Sequence, residues 1–333
     1  MPDPLPFVLI THALPVEWLA LLEGHCTWIS GPPAEAQAGK GLSSDLVEQL
    51  HQADGLISLL TIPVGEDLLS QAPRLRVVSN MAVGVDNVDL AACTRRGIPV
   101  GNTPGVLTEA TADLSMALIL AAARRLPEAA ADAQGGRWST WNPTGWLGMD
   151  LHEAVLGIAG MGKIGQAVAA RAHAFGMRLI YNDLTPLPEV EARLAARFVS
   201  FDDLLAHSDI LTLHLSLSDG TRGLINTQAL QQMKSTAILV NAARGPIVET
   251  NALQLALQEG WIRAAALDVT DPEPLPPDHP LYQLPNCLIV PHIGSATHQT
   301  RQRMAELACL NLLAGLEGKR LPYCINPEVY RPG

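Results

Sequence analysis

The fold is decided by the segment VLGIAGMGKIG at positions 155–165, in which an apolar run leads directly into three spaced glycines. The apolar half predicts a buried strand, and the glycines predict a tight turn that opens a helix. In such a unit Gly160 permits the turn, Gly162 lets the backbone approach a pyrophosphate, and Gly165 lets helix and strand pack closely. Glycine clusters also occur in plain turns, so this segment alone leaves both interpretations open. The candidate cofactor-binding residues of the loop are Gly160, Met161, Gly162, Lys163, Ile164 and Gly165.

The strand predicted after this helix ends at Asp183, eighteen residues beyond Gly165. An acidic side chain at that place accepts a hydrogen bond from the ribose 2′-OH of NAD and repels the 2′-phosphate of NADP. The following Leu184-Thr185-Pro186 supplies no cation for such a phosphate. We therefore predict that NAD(H) is preferred over NADP(H). A simple strand cap is the alternative role for Asp183, and Arg178 and Arg193 are nearby cations that would weaken the preference.

Short apolar runs alternate with helical patterns on both sides of the glycine segment, which predicts parallel sheets covered by helices. The fold class is therefore α/β, with two Rossmann-like, doubly wound parallel-sheet domains. We expect the second domain, residues 103–295, to be inserted into the first, which is formed by residues 1–102 and 296–333. Helices are predicted near Val16–Leu22, after a capping Ser43, and from about Ala296 to Leu316. The predicted strands are 7–11, 26–30, 55–58, 76–80, 155–159, 177–182, 209–215, 237–241, 264–268 and 287–290.

Composition narrows the class of protein. Of 333 residues 48% are hydrophobic and 17% charged, so the chain can bury cores, and a net charge of −11 disfavours nucleic-acid or anionic-membrane partners. No apolar run reaches the roughly 18 residues of a membrane span. The five cysteines are scattered, which predicts free thiols and neither a disulfide framework nor a metal site. The first cation is Lys40, so no targeting segment is expected, and a cytoplasmic location is predicted.

Polar residues collect where the later strands end, which is the edge at which doubly wound sheets bind ligands. Arg244 follows the strand 237–241, Asp268 ends the next strand, and His292 follows the last one; Glu273 lies in the proline-rich loop between these two. An arginine can bind a carboxylate through two hydrogen bonds, and a histidine can exchange a proton near neutral pH. A glutamate can orient and charge that imidazole. Taken singly, each residue is also compatible with an ordinary capping role.

The first domain offers a complementary turn, in which the strand 76–80 runs into Met81–Asp86. This turn can direct the amides of Val83 and Gly84 at an anion. Most such turns bind nothing, so an ordinary turn is the alternative interpretation.

These motifs resemble those of the D-isomer-specific 2-hydroxyacid dehydrogenases over nearly the whole chain. The matching segments are VGVD at 83–86, GMGKIG at 160–165, NAARG at 241–245, LDV at 267–269 and PHIGSA at 291–296. Within the family the chain is most similar to the glyoxylate/hydroxypyruvate reductases, through LTEATA at 107–112, GRWSTW at 136–141, DVTDPEPLP at 268–276 and PHIGSATH at 291–298.

The resemblance implies a substrate domain of flavodoxin-like fold at 1–102 and 296–333 and an NAD-binding domain at 103–295. It implies that Arg244 binds a 2-oxo acid, that His292 protonates its carbonyl oxygen, and that Glu273 orients His292. The amides of Val83 and Gly84, with Ser295, would hold the substrate. On the cofactor side it implies Met161, Gly162, Lys163, Ile164, Asp183, Ala242, Ala243, Asp268 and Gly294, with Asp268 at the nicotinamide carboxamide.

In this subgroup a loop tryptophan matching Trp141 reaches a neighbouring subunit's site, so we expect a homodimer. Mammalian-type relatives favour NADPH and carry a basic residue after the second strand. This chain has Asp183-Leu184 instead, and we follow that local chemistry toward NADH.

The expected reaction is reduction of glyoxylate or hydroxypyruvate to glycolate or D-glycerate. The alternative within the enzyme class is a dehydrogenase for D-lactate or D-3-phosphoglycerate. A different class is the NAD-sensing corepressors of the same fold, which the joint presence of Arg244, Glu273 and His292 disfavours.

Overall fold

The computed structural model of the chain describes residues 4–33 and 41–330. It contains two compact units, one drawn from Met1–Leu107 and Thr297–Gly333, the other from Thr108–Ala296. The second unit is therefore inserted into the sequence of the first, with the changes of unit at 107/108 and 296/297. Each unit has one all-parallel sheet, and the predicted fold class of two Rossmann-like α/β domains is confirmed.

The first unit has a five-stranded sheet in the order β2-β1-β3-β4-β5, the strand order of flavodoxin-like folds. Helices cover it because its central strands are buried on both faces. Its elements before the insertion are β1 (Phe7–Ile10), β2 (Thr27–Ser30), α1 (Ser44–Gln49), β3 (Gly55–Ser58), α2 (Glu66–Gln71), β4 (Val77–Asn80), α3 (Leu90–Arg95) and β5 (Val100–Gly101).

The second unit has a seven-stranded sheet in the order β12-β11-β10-β9-β6-β7-β8, so the strand order reverses between β6 and β9. Its strands are β6 (Val155–Ala159), β7 (Arg178–Asn182), β8 (Arg197–Phe198), β9 (Ile210–Leu213), β10 (Ile238–Asn241), β11 (Ala264–Leu267) and β12 (Cys287–Ile289). Its helices are α4 (Thr108–Ala123), α5 (Leu126–Gln134), α6 (Lys163–Ala174), α7 (Pro188–Leu194), α8 (Phe201–His207), α9 (Thr227–Gln232) and α10 (Thr250–Gln258).

The chain then returns to the first unit through α11 (His298–Leu316). This helix packs closely on the sheet, since a Cβ atom at Gly315 would lie 2.5 Å from the side chain of Val77. Ser79 of β4 donates its hydroxyl hydrogen bond to the carbonyl of Ala308 at 2.8 Å. The close approach at Gly315 and the hydrogen bond from the Ser79 hydroxyl together hold α11 against β4.

Four details differ from the sequence-based predictions. Val16–Leu22 is a 3₁₀ helix, and Ser43 is the N-cap of α1 without a capping hydrogen bond from its side chain. Helix α11 begins at His298 and not at 296, because the Thr297 side chain accepts from the amide of Thr300 and so caps the helix there. The two-residue edge strand β8 was missed, since so short a segment carries no periodic signal. No helix within residues 4–33 and 41–330 is long and apolar enough to span a membrane.

Candidate active and cofactor-binding site

The glycine loop lies where the strand order of the second unit reverses, the position at which doubly wound sheets bind dinucleotides. Gly160 has φ +92°, and a Cβ atom there would lie 2.7 Å from the carbonyl oxygen of His214. A Cβ atom at Gly165 would lie 2.1 Å from the Gly160 carbonyl oxygen. Both positions therefore require glycine for the turn and for helix packing, as the sequence predicts.

Gly162 serves a different purpose, since a Cβ atom there would meet no protein atom within 4 Å. Gly162 is the N-cap of α6, whose first residues are Lys163 and Ile164. The first amides of a helix have no partner within the helix and carry the positive end of its dipole. The space left by the missing side chain of Gly162 lies at the N-terminus of a twelve-residue helix. Such a space can receive the pyrophosphate of a dinucleotide.

Asp183 follows β7 and lies against this loop. Its Oδ2 accepts a hydrogen bond from the amide of Met161 at 2.7 Å, and its Oδ1 accepts from the amide of Leu184 at 2.7 Å. Each carboxylate oxygen has a second lone pair, so these bonds leave acceptor capacity for a ribose hydroxyl. The side chain of Leu184 is 97% exposed and presents no charge beside the carboxylate.

His214 is a residue of this region that the sequence analysis missed. It follows β9, and its amide donates to the carbonyl of Ala159 at 2.8 Å. Its Nε2 lies 3.0 Å from Oγ1 of Thr212, while its Nδ1 is buried with no hydrogen-bond partner among the described residues. Burial lowers the pKa of the imidazole to about 4, so the ring is neutral at physiological pH. Its position directly after a strand at the reversal point was the available signal.

Glu273 and His292 form a hydrogen-bonded pair near the β12 edge of the sheet, the edge opposite to β8. Oε1 of Glu273 lies 2.6 Å from Nδ1 of His292, and the two side chains are 33% and 29% exposed. Because an ionised carboxylate only accepts, Nδ1 carries the proton and donates. His292 has φ +52°, a left-handed conformation that a residue with a Cβ atom rarely adopts. Because Nδ1 is bound to Glu273, Nε2 is the ring nitrogen that can face a ligand.

The buried Asp268 holds the segment that carries His292. Its Oδ1 accepts from the amide of Ile293 at 2.6 Å and its Oδ2 from the amide of Gly294 at 2.9 Å. Burial raises the pKa of Asp268, and the bond from the Ile293 amide and the charge of His292 oppose this rise. On α4, Thr111 donates to the carbonyl of Gly294 at 3.2 Å. Asp268, assigned above to a nicotinamide carboxamide, is thus also a structural anchor of the His292 segment.

Arg244 is half-buried and follows β10, where Asn241 brackets the turn. Asn241 donates to the Arg244 carbonyl at 2.9 Å and accepts from the amide of Ala243 at 3.0 Å. Ala242 precedes these two residues in the same turn. A Cβ atom at Gly245 would lie 1.9 Å from the carbonyl oxygen of Thr270, so the loop carrying Glu273 passes directly over this turn.

In the first unit, a network of asparagines holds the turn that contains Val83 and Gly84. Asn102 donates to the carbonyl of Val83 at 2.9 Å, and Asn80 donates to that of Gly84 at 3.0 Å. Asn80 also exchanges hydrogen bonds with Asn87 at 3.2 Å. Because each C=O shares a rigid peptide plane with the next N–H, these bonds orient the amides of Gly84 and Val85, and the bond from the Thr103 amide to the Ala82 carbonyl at 2.9 Å orients the amide of Val83. The sequence analysis missed these asparagines, although Asn80 stands at a strand end.

The remaining candidates are more exposed. Trp141 and Trp138 are 80% and 73% exposed in the single chain, in a segment of turns after α5. Ser295 is half-buried beside Gly294. Among residues 4–33 and 41–330, no group of three or more His, Cys, Asp or Glu side chains is arranged to hold a metal ion.

Comparison with known proteins gives consistent matches. Residues 116–294 match the family described as D-isomer specific 2-hydroxyacid dehydrogenase, NAD binding domain. A glyoxylate reductase of Aeropyrum pernix is 52% identical over 290 residues, which cover 86% of this chain and 87% of that protein.

Solved structures match over nearly the full length of the chain. The TT0316 protein of Thermus thermophilus has 48% identity and a TM-score of 0.89, and the match covers 96% of this chain and 99% of that one. An NADPH-dependent glyoxylate/hydroxypyruvate reductase of Sinorhizobium meliloti, in complex with NADP and malonate, has 29% identity and a TM-score of 0.83, covering 98% and 99%.

Proposed function

We propose that this chain, which belongs to the D-isomer-specific 2-hydroxyacid dehydrogenase family, reduces glyoxylate and hydroxypyruvate to glycolate and D-glycerate. The protein is an oxidoreductase that acts on a CH–OH group with a nicotinamide cofactor. The observation that carries the proposal is the Glu273–His292 pair at 2.6 Å, in the same unit as the glycine loop. The names of the similar reductases support these two substrates.

His292 is the general acid in this proposal. A reduced nicotinamide cofactor, held by the residues of the glycine loop, would supply the hydride that reaches the carbonyl carbon of the substrate. The carbonyl oxygen then gains negative charge, and Nε2 of His292 donates a proton to it. Glu273, hydrogen-bonded to Nδ1, keeps the ring in the required orientation and stabilises its charged form. In the reverse direction the same pair removes the hydroxyl proton.

Arg244 binds the carboxylate and carbonyl oxygen of the 2-oxo acid. A guanidinium presents paired N–H groups whose spacing matches a carboxylate, so it fixes orientation as well as charge. In this proposal the amides of Val83 and Gly84, together with Ser295, make further hydrogen bonds with the substrate. The carbonyl of Arg244 is held by Asn241, which limits the movement of the turn that presents the guanidinium.

The proposed cofactor is NADH in preference to NADPH. Asp183 would be placed beside a 2′-phosphate if NADPH bound at the glycine loop, and two negative groups in contact repel each other. Leu184 offers no compensating cation. The residues assigned to the cofactor are those of the glycine loop with Asp183, Ala242, Ala243, Asp268 and Gly294. The NADPH dependence of the similar reductase from S. meliloti makes a direct comparison of both cofactors necessary.

We further propose a homodimer in which Trp141 covers the substrate site of the partner subunit. Two tryptophans that are 80% and 73% exposed on one segment are unusual for a surface that stays solvated. Replacing Trp141 by alanine is expected to raise the KM for the oxo acid in the dimer. The Kd for NADH is expected to stay unchanged.

The experiment that tests the catalytic assignment compares His292→Ala and Arg244→Ala with two surface controls. His207→Ala removes an exposed histidine of α8, and Arg303→Ala removes an exposed arginine of α11. Both site variants are expected to lose turnover by about 10²-fold or more while still binding NADH in calorimetry, and the controls to retain both properties. Full turnover in either site variant refutes the assignment.

A further inference from the structure

Gln166 of α6 makes two side-chain hydrogen bonds that the proposed chemistry does not use. Its Nε2 donates to the carbonyl oxygen of Met161 at 3.0 Å. Its Oε1 accepts from the guanidinium of Arg193 on α7 at 3.1 Å. The side chain thus reaches back from the first turns of the helix to the glycine loop.

Met161 is consequently held at both of its backbone polar groups. Asp183 accepts from its amide at 2.7 Å, Gln166 donates to its carbonyl, and its own side chain is 1% exposed. The carbonyl of the next residue, Gly162, accepts from the amide of Gln166 at 2.9 Å. Packing adds no restraint there, because a Cβ atom at Gly162 would meet nothing within 4 Å beyond its chain neighbours.

This difference matters for the peptide unit that joins Met161 to Gly162. In a trans peptide the C=O and the following N–H point in opposite directions. Rotation of this unit changes φ of a glycine, which accepts positive and negative values with similar ease. Sterics therefore do little to fix the direction of the Gly162 amide, and the bond from Gln166 to the Met161 carbonyl is the restraint that does.

We infer that Gln166 is a positioning residue that presets the Gly162 amide toward the cofactor pyrophosphate. The inference rests on the proposed use of the glycine loop by a dinucleotide. An amide that already points at the phosphate loses less conformational freedom on binding, so preorganisation strengthens affinity. The side chain of Gln166 acts through Met161, at the helix side of the loop.

Two substitutions separate this role from simple anchoring of Arg193. Gln166→Leu removes both hydrogen bonds. Gln166→Glu keeps an acceptor for Arg193 and strengthens that contact, but a carboxylate cannot donate to the Met161 carbonyl and repels it. Arg193→Leu is the matched control, because it removes only the outer bond.

The measurement is the Kd of each variant for NADH and for ADP-ribose, which contains the pyrophosphate but no nicotinamide, by calorimetry. Loss of one hydrogen bond predicts about fivefold to tenfold weaker binding of both ligands to Gln166→Leu and Gln166→Glu. Arg193→Leu is expected to bind both within about twofold of wild type. At saturating NADH the kcat of all three variants is expected to match wild type, with the change confined to KM for NADH.

The inference is overturned if Gln166→Glu binds like wild type, since the side chain then serves only Arg193, or if kcat falls with unchanged Kd. Thermal unfolding without ligand controls for a folding defect, and Gln166→Glu provides a second variant if Gln166→Leu is unstable. Failure of wild-type protein to bind NADH and NADPH would overturn the proposed function together with this inference. Normal wild-type binding with unaltered variants would overturn the inference alone.

Discussion

Nδ1 of His292 lies 2.6 Å from Oε1 of Glu273, and the backbone of His292 is left-handed with φ +52°. The amides of the next two residues, Ile293 and Gly294, are bound by the carboxylate of Asp268. The fold therefore holds an uncommon backbone conformation in place, and this conformation brings the imidazole to the glutamate. Backbone strain of this kind is found preferentially at functional sites.

Replacing Glu273 by glutamine tests the electrostatic part of this relationship. The amide oxygen can still accept from Nδ1 of His292, so the ring orientation is kept, but the negative charge that stabilises the imidazolium is lost. We expect kcat for glyoxylate reduction to fall by about 10²-fold with unchanged Kd for NADH. Steady-state kinetics and calorimetry measure the two quantities. An unchanged kcat would show that Glu273 acts only by geometry.

The glycine loop allows a matched pair of substitutions with opposite consequences. In Gly162→Ala the new methyl group meets open space, so the unfolding temperature without ligand should stay near wild type, while NADH binding weakens by about tenfold or more. In Gly165→Ala the methyl group would lie 2.1 Å from the Gly160 carbonyl, and a loss of about 1–3 kcal/mol in unfolding free energy is expected. Thermal and urea unfolding with calorimetry distinguish the two. Equal stability loss in both variants would contradict the different roles.

Cofactor choice is tested by the double variant Asp183→Gly with Leu184→Arg. Removing the carboxylate and adding a cation should raise kcat/KM for NADPH and lower it for NADH, changing their ratio by about 10²-fold. Part of the loss with NADH has a second cause, because Asp183 also binds the amide of Met161. Asp183→Asn, which keeps an acceptor for that amide, is the control. A ratio that stays constant would remove Asp183 from the specificity determinants.

His214 gives a pH-dependent prediction. Its folded pKa is about 4 and the unfolded value is near 6.5, so the unfolded chain binds a proton first as the pH falls. Stability from the neutral ring is complete above the unfolded pKa and is lost as the pH falls toward the folded pKa. Between pH 7 and pH 5 this linkage amounts to at most about 2 kcal/mol. Urea unfolding of wild type and His214→Asn should therefore diverge in slope over this range; parallel curves would contradict a buried neutral imidazole.

Much of the fold was predictable because the signals are local. The apolar runs that form β6 and β10 are bounded by glycine or polar residues. Parallel strands that are buried on both faces appear in a sequence as such uninterrupted apolar runs. Gly160 and Gly165 are required because a Cβ atom would clash with nearby backbone, at His214 after β9 and at Gly160 respectively. Gly162 differs, since a Cβ atom there would meet open space. The insertion of one unit into the other followed from the order of these elements.

The contacts that fix the candidate site were less predictable. Asp268 was assigned to a cofactor group, yet its two oxygens accept from the amides of Ile293 and Gly294, which lie 25 and 26 residues away. Gln166 and His214 escaped attention because their contacts join segments that the pattern does not bring together: Gln166 accepts from Arg193 of α7, and the amide of His214 donates to the carbonyl of Ala159 at the end of β6. Side-chain bonds of this kind depend on the packed arrangement, which a sequence pattern with a period of two or 3.6 residues does not encode.

The proposed reaction can be followed by the loss of reduced-nicotinamide absorbance with glyoxylate and with hydroxypyruvate, each with NADH and with NADPH, in wild type and His292→Ala. We expect turnover of both oxo acids by wild type, a higher kcat/KM with NADH, and near-complete loss of turnover in His292→Ala. Binding of NADH without consumption of either oxo acid would contradict the proposed substrates, and a higher kcat/KM with NADPH would contradict the proposed role of Asp183.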